Sequence, residues 1–244
     1  MTDTPTLRIA HLYPDHMNLY GDRGNVLCLV QRCLWRGWQA EVTGVGLGEA
    51  INPDYYDLYF MGGGQDTQQI KIVDDLHATK AESLRQAAAN QAVFLTICGG
   101  YQLLGHYYKP HQGPELKGLS LMDVATVAGY TRFIGNVSIR RPDGSMLVGF
   151  ENHSGLTTLG RDVQPLGKVL RGHGNNGQDG TEGGMFGHLY GTYLHGSLLP
   201  KNPTLADELI SKALARRYGQ VILPALANDQ LEAQAHQRAL VLKS

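Results

Sequence analysis

The sequence predicts an α/β protein built on a mostly parallel sheet flanked by helices. Short apolar runs alternate with helical patterns, several of those runs stop at glycine, cysteine or histidine, and 244 residues with 42% hydrophobic content can bury one good core. LRIAHLY (7–13) reads as the first strand, followed by a polar loop, PDHMNLYGDRG, and a helical pattern from Asn25 to about Trp35 that ends near Gly37. AEVTGV (40–45) and DLYFMGGG (57–64) are the next strands, the second running into glycine. A polar, Ala-rich helix is expected over 67–89, then the strand AVFLTIC (92–98) and a helix through GYQLLGHYY. Strands separated by helices at this spacing lie parallel, with both faces covered, and such sheets bind ligands at the carboxyl ends of their strands.

The rest of the chain departs from that rhythm. The section 119–150 is β-rich and punctuated, with a hairpin turn at RPDGS (141–145). GHGNNGQDGTEGG (172–184) is glycine-rich and polar and is expected to be a mobile surface loop, not a linker. MFGHLYGTYLHG (185–196) resumes apolar alternation and stops at a histidine, and helices are expected over 204–218 and 229–242. The domain reading is therefore one unit over 1–244.

Bulk properties narrow the function. A net charge of -1 and no run of Lys and Arg interleaved with aromatics argue against nucleic acid as a partner. No window reaches the roughly 18 uninterrupted apolar residues of a membrane span, and no signal-like N-terminus is present, so the chain reads as cytoplasmic. Three cysteines are too few and too irregular for a disulfide scaffold or a zinc site, and no histidine pair has ligand spacing; no metal is expected. Cys28 and Cys33, on the first helix, read as buried apolar thiols.

Cys98 is different. It closes a buried strand immediately before Gly99 and Gly100, where a sharp strand-to-helix turn would expose its apex residue, as in the hydrolase nucleophile elbow. A cysteine nucleophile needs a base and a preorganised place for negative charge. His195, in GTYLHGSLLP, closes another apolar run that would converge on the same sheet edge, with His153 in FENHSG as the rival. MGGG (61–64) offers backbone N–H groups unencumbered by side chains. Each signal alone is ordinary architecture; thiol, imidazole and free amides at three strand ends make a site.

The spacing of Cys98, Gly100 and Gln102 matches a C-x-G-x-Q pattern and, with the upstream glycine loop and downstream histidine, resembles the class I glutamine amidotransferases. LTICGGYQLLG, NLYGDRGN, GFENHSG and GTYLHGSLLPKNP together are similar to the cobyric-acid-synthase-like branch, most closely the glutaminase subunits of lipid II isoglutaminyl synthase. The resemblance runs over nearly the whole chain and implies a flavodoxin-like three-layer sandwich. It implies that Cys98 attacks the side-chain amide of L-glutamine, that His195 moves the proton to departing ammonia, and that the oxyanion sits between the N–H of Gly99 and one from the Gly62 to Gly64 loop, with Gly63 favoured. Gln102 matches a glutamine-holding position, and Arg132, in GYTRFIGN, matches the arginine that binds the α-carboxylate.

The sequence departs from many class I enzymes two residues after the histidine, where Ser197 stands in place of an orienting glutamate. Asp22 is the favoured substitute and Glu151 the other candidate. No phosphate-binding loop is present, so ATP and magnesium are expected on a partner, which the resemblance identifies as a Mur-ligase-like synthetase acting on lipid II, in a heterodimer. Three other readings stay open: a glutaminase serving a different carboxylate, such as a corrinoid; a peptidase or esterase using the same elbow; and a binding protein that has lost catalysis.

Overall fold

A computed structural model describes residues 4–227 and 229–241. The chain order is β1 (Thr6–Leu12), α1 (Arg23–Trp35), β2 (Gln39–Val45), β3 (Leu58–Met61), α2 (Asp66–Asp75), α3 (Ala81–Ala89), β4 (Val93–Ile97) and α4 (Gly99–Leu104). It continues with β5 (Tyr107–Lys109), β6 (Leu116–Lys117), β7 (Val124–Arg140), β8 (Met146–Leu159), β9 (Gly167–Arg171), β10 (Thr181–Glu182), β11 (Gly184–Phe186) and β12 (Leu189–Thr192). The helices α5 (Leu198–Lys201), α6 (Pro203–Tyr218) and α7 (Asp229–Val241) follow. Leu242, at the end of the last expected helix, lies outside the described residues.

The first sheet has the order β11-β12-β4-β3-β1-β2 and is parallel except for β11. Its central strands β3 and β4 are buried at every position, which is why they read as unbroken apolar runs. Alternation sorts them between two cores: Val93, Leu95 and Ile97 face α1 and α6, while Phe94 packs with the α2, α3 and α4 side. The sandwich expected from the sequence is present.

The β-rich middle is larger than 119–150. β7 and β8 form a long antiparallel hairpin through the 141–145 turn, where Gly144 has φ +86 and Asp143 accepts the Ser145 N–H. One edge of β7 pairs with β8, and the other with β5 near its start and β9 near its end, giving a second sheet.

The helix expected over 67–89 is present, running from Asp66 to Ala89 through a π-helical turn at Leu76–Lys80, where buried Lys80 reaches Asp75 at 2.5 Å. Three local expectations need correction. The helix after Cys98 stops at Leu104, and Tyr107–Lys109 joins the second sheet instead. The apolar run before His195 ends as a strand at Thr192, and His195 itself pairs with Phe150 of the second sheet (N···O 2.8 and 3.2 Å). The glycine-rich segment 172–184 is anchored: Asn175 and Glu182 are fully buried, and Glu182 accepts the Tyr193 N–H at 2.7 Å and the Thr192 hydroxyl. Cys28 and Cys33 lie on α1 as expected, Cys33 buried and Cys28 half-buried, with burial pushing both thiols up to about 12.

Candidate active site

Cys98 sits at the apex of a sharp turn between β4 and α4, with φ +50 and ψ -106. A non-glycine residue in that region is strained and must be held by its surroundings. Its N–H donates to Thr192 O at 2.8 Å, tying it to the end of β12, and its carbonyl accepts the Gln102 N–H at 2.9 Å. The following glycines are steric requirements. A Cβ on Gly100 would lie 2.5 Å from Met61 O, and one on Gly99 would lie 2.9 Å from Gly64 N. The turn therefore packs directly against the glycine loop after β3.

That loop brings the reactive groups together. A Cβ on Gly63 would meet His195 Cε1 at 2.8 Å, Asp22 Oδ2 at 3.2 Å and Cys98 Cβ at 3.5 Å, so three residues distant in sequence converge on one glycine. Asp22 and His195 are completely buried. The Asp22 carboxylate lies 3.3 Å from His195 Nδ1 through one oxygen and accepts the Gly63 N–H at 2.7 Å through the other. Among the described residues, His195 Nε2 has no hydrogen-bond partner. Burial would lower the imidazole pKa, but its interactions with Cys98 and with the Asp22 carboxylate outweigh burial and raise it to about 10. The imidazole is thus oriented from one side and free on the other.

Four further residues complete the picture of the site, two of them expected members and two the alternatives to Asp22 and His195. Gly63 cannot offer its N–H to an oxyanion while Asp22 holds it. The neighbouring Gly64 N–H has no hydrogen-bond acceptor among the described residues, and Gly64 lines the same pocket as Cys98. Gln102 lines the pocket too, but its amide is engaged within the protein, accepting from Gln69 Nε2 at 2.9 Å and donating to the Tyr193 hydroxyl at 3.2 Å. Glu151 turns away from the imidazole to accept the His173 and Gly174 N–H groups and meet His173 Nδ1 at 2.6 Å. His153 stacks on Tyr193, its Nδ1 is bound to Gly155 O at 2.9 Å, and burial lowers its pKa to about 3, so it is a neutral pocket wall and a poor base at neutral pH.

The pocket above Cys98 has a volume of about 310 Å³. Arg132 stands at its mouth, reaching Asn152 Oδ1 at 2.7 Å and the Tyr20 hydroxyl at 3.1 Å. The Tyr20 ring meets the His195 ring edge-on, with centroids 5.1 Å apart. Tyr20, Gln69 and Asn152 are the functional candidates that sequence reasoning missed, whereas Gly64 lies in the glycine loop it named. Tyr20 and Asn152 do lie inside the motifs NLYGDRGN and GFENHSG, so an aromatic in an otherwise polar loop was the available signal.

Comparison with known proteins agrees with this geometry. Residues 8–203 match the CobB/CobQ-like glutamine amidotransferase domain. The chain is 44% identical over 222 residues to the GatD subunit of lipid II isoglutaminyl synthase (glutamine-hydrolyzing) from Streptococcus pneumoniae, covering 90% of this chain and 85% of that one. It is 39% identical over 231 residues to the subunit of the same name from Staphylococcus aureus, covering 95% and 93%. A chain of the solved structure of PurLQS from Thermotoga maritima shares the fold, with a TM-score of 0.57 at 16% identity over 96% of this chain and 99% of that one. The chain belongs to the CobB/CobQ-like glutamine amidotransferase family and, within it, to the group that holds the GatD subunits.

Proposed function

We propose that this chain is the glutaminase subunit of a lipid II isoglutaminyl synthase. Cys98 Sγ attacks the carboxamide carbon of L-glutamine, and the developing oxyanion is met by the N–H groups of Gly99 and Gly64. His195 Nε2 donates its proton to the leaving nitrogen as the C–N bond breaks, releasing ammonia and a glutamyl thioester. The neutral imidazole then takes a proton from water as that water attacks the thioester, returning free Cys98 and glutamate. Asp22 holds Nδ1 throughout and stabilises the imidazolium. Arg132 takes the α-carboxylate, for which its planar, two-pronged donor is suited. Gln102 shapes the pocket wall through Gln69 and Tyr193.

The observation that carries this reading is the meeting of Cys98, His195 and Asp22 around Gly63, with the imidazole anchored at Nδ1 and unpartnered at Nε2. The ammonia is consumed by a second subunit, as the subunit names of the relatives support. We assign that role to a Mur-ligase-like synthetase that binds ATP and magnesium and activates the α-carboxylate of D-glutamate in lipid II, giving D-isoglutamine during peptidoglycan synthesis. Dependence on ATP places the heterodimer in the cytoplasm; among the described residues no helix is long and apolar enough to cross a membrane.

Glutamine-dependent ammonia release by the purified chain, compared with Cys98→Ala and measured with and without the synthetase, tests the reading. Release abolished by Cys98→Ala and lipid II amidation only with both chains are expected. Full amidation of lipid II by this chain alone would overturn the division of labour, and amidation of a corrinoid acceptor instead would reassign the partner.

A further inference from the structure

Ser197 occupies the position where many class I enzymes carry the orienting glutamate, and its side chain points elsewhere. With φ +50 it adopts a left-handed conformation, and its hydroxyl donates to Gly21 O at 2.7 Å. A Cβ on Gly24 would lie 2.1 Å from Ser197 Oγ, so that glycine leaves the space the hydroxyl enters. Two residues further on, the Leu199 N–H donates to the buried Asn25 side chain at 2.8 Å. The segment following His195 thus clasps the start of α1 at two points, Gly21 just before it and Asn25 in its first turn. Asp22 lies between them, fully buried, with its carboxylate on His195 and Gly63.

We propose that Ser197 is a positioning residue for glutamine hydrolysis: its hydroxyl holds the Gly21–Asn25 segment, at the start of α1, in register with the histidine, so that Asp22 supplies the carboxylate the local sequence lacks. The inference rests on Asp22 being the orienter of His195. An acid on a separate loop orients the imidazole only if that loop is fixed relative to the histidine, and misplacement on the order of 1 Å costs roughly 100-fold in rate. The Ser197–Gly21 bond lies two residues from His195 and one from Asp22.

A double-mutant cycle in the full chain, bound to its synthetase, tests this. Asp22→Asn should lower kcat for glutamine hydrolysis about 100-fold. Ser197→Ala should lower it about 5- to 10-fold with KM changed less than about 2-fold, the pattern of a lost transition-state interaction. In the Asp22→Asn background, Ser197→Ala should change kcat by less than about 2-fold. Gly24→Ala, which crowds the hydroxyl from the opposite side, should show the same dependence on Asp22. Equal losses from Ser197→Ala in both backgrounds, or none in either, would overturn the role of Ser197 while leaving Asp22 as the orienter. An Asp22→Asn variant with unchanged kcat would overturn the orienter and this inference with it.

Discussion

At the base of the pocket Cys98, Gly99, Gly100 and the Gly62–Gly64 turn meet through main-chain atoms, whereas at its mouth Arg132, Tyr20 and Asn152 meet through side chains. The base lies between buried strand ends and is fixed by close approach of backbone to backbone, leaving no room for a methyl group. The mouth is exposed, and its contacts can exchange for those of a ligand. The two regions therefore suit different tasks: the base holds the reacting atoms, and the mouth recognises the remote end of the substrate. Changes at the base should damage folding and kcat together, while changes at the mouth should appear in KM.

The largest effect expected is at Gly100. A Cβ there would stand 2.5 Å from Met61 O and 2.9 Å from Gly62 O, both backbone atoms that cannot swing aside. Gly100→Ala should cost about 3 kcal/mol, at the upper end for overpacking, and lower glutamine hydrolysis at least ~100-fold as the turn bearing Cys98 shifts. Denaturant unfolding and steady-state kinetics of the same preparation would check both. Wild-type stability with a wild-type rate would show that the base yields more easily than its packing implies.

Next in size is a pH effect beneath the base. Glu182 is fully buried under Thr192 and Tyr193, and burial raises its pKa from 4.5 to about 7 despite the hydrogen bonds it accepts. Between those values the folded state keeps a proton that the unfolded state releases, so stability falls as pH rises. The contribution is fully present below 4.5, is lost as pH rises through about 7, and amounts to at most about 3 kcal/mol. Glu182→Gln should remove this slope, so that its stability relative to wild type improves between pH 5 and 8. A parallel pH dependence for the two proteins would contradict the raised pKa.

Legibility in the sequence follows the same division. Cys98 could be found because an apolar run ending in Cys-Gly-Gly states both the strand and the crowding of the turn, and the parallel sheet could be found because doubly buried strands are continuous apolar runs. Which glycine keeps a free N–H could not, because it depends on the Asp22 carboxylate reaching Gly63 from 41 residues away. The partners of the Gln102 amide were hidden for a similar reason, since Gln69 and Tyr193 come from other elements. The composition of 172–184 suggests a free loop, but burial of Glu182 and Asn175 is decided by Thr192, Tyr193 and Gly183. The second sheet was half visible: its hairpin turn has a local signature, while the change of partner along one edge of β7 has none.

At the mouth, Arg132→Lys is expected to raise KM for glutamine about 10-fold with kcat within about 2-fold, because lysine keeps the charge and loses the two-pronged geometry. A large drop in kcat with KM unchanged would move Arg132 from recognition to the reacting end of the pocket.

Tyr20→Phe separates the two regions most finely, because Tyr20 touches both. Its hydroxyl accepts from Arg132 at the mouth, while its ring covers the imidazole edge-on at the base. Phenylalanine keeps the ring and removes only the acceptor, so the cover over His195 should persist and kcat should stay within about 2-fold, the loss being of one exposed hydrogen bond. KM should change by no more than about 3-fold, and it can fall if the guanidinium no longer has to leave the hydroxyl before taking a carboxylate. A 10-fold loss of kcat would mean instead that the hydroxyl itself takes part in chemistry at the base. The boundary between recognition and reaction would then run through Arg132, not between it and Cys98.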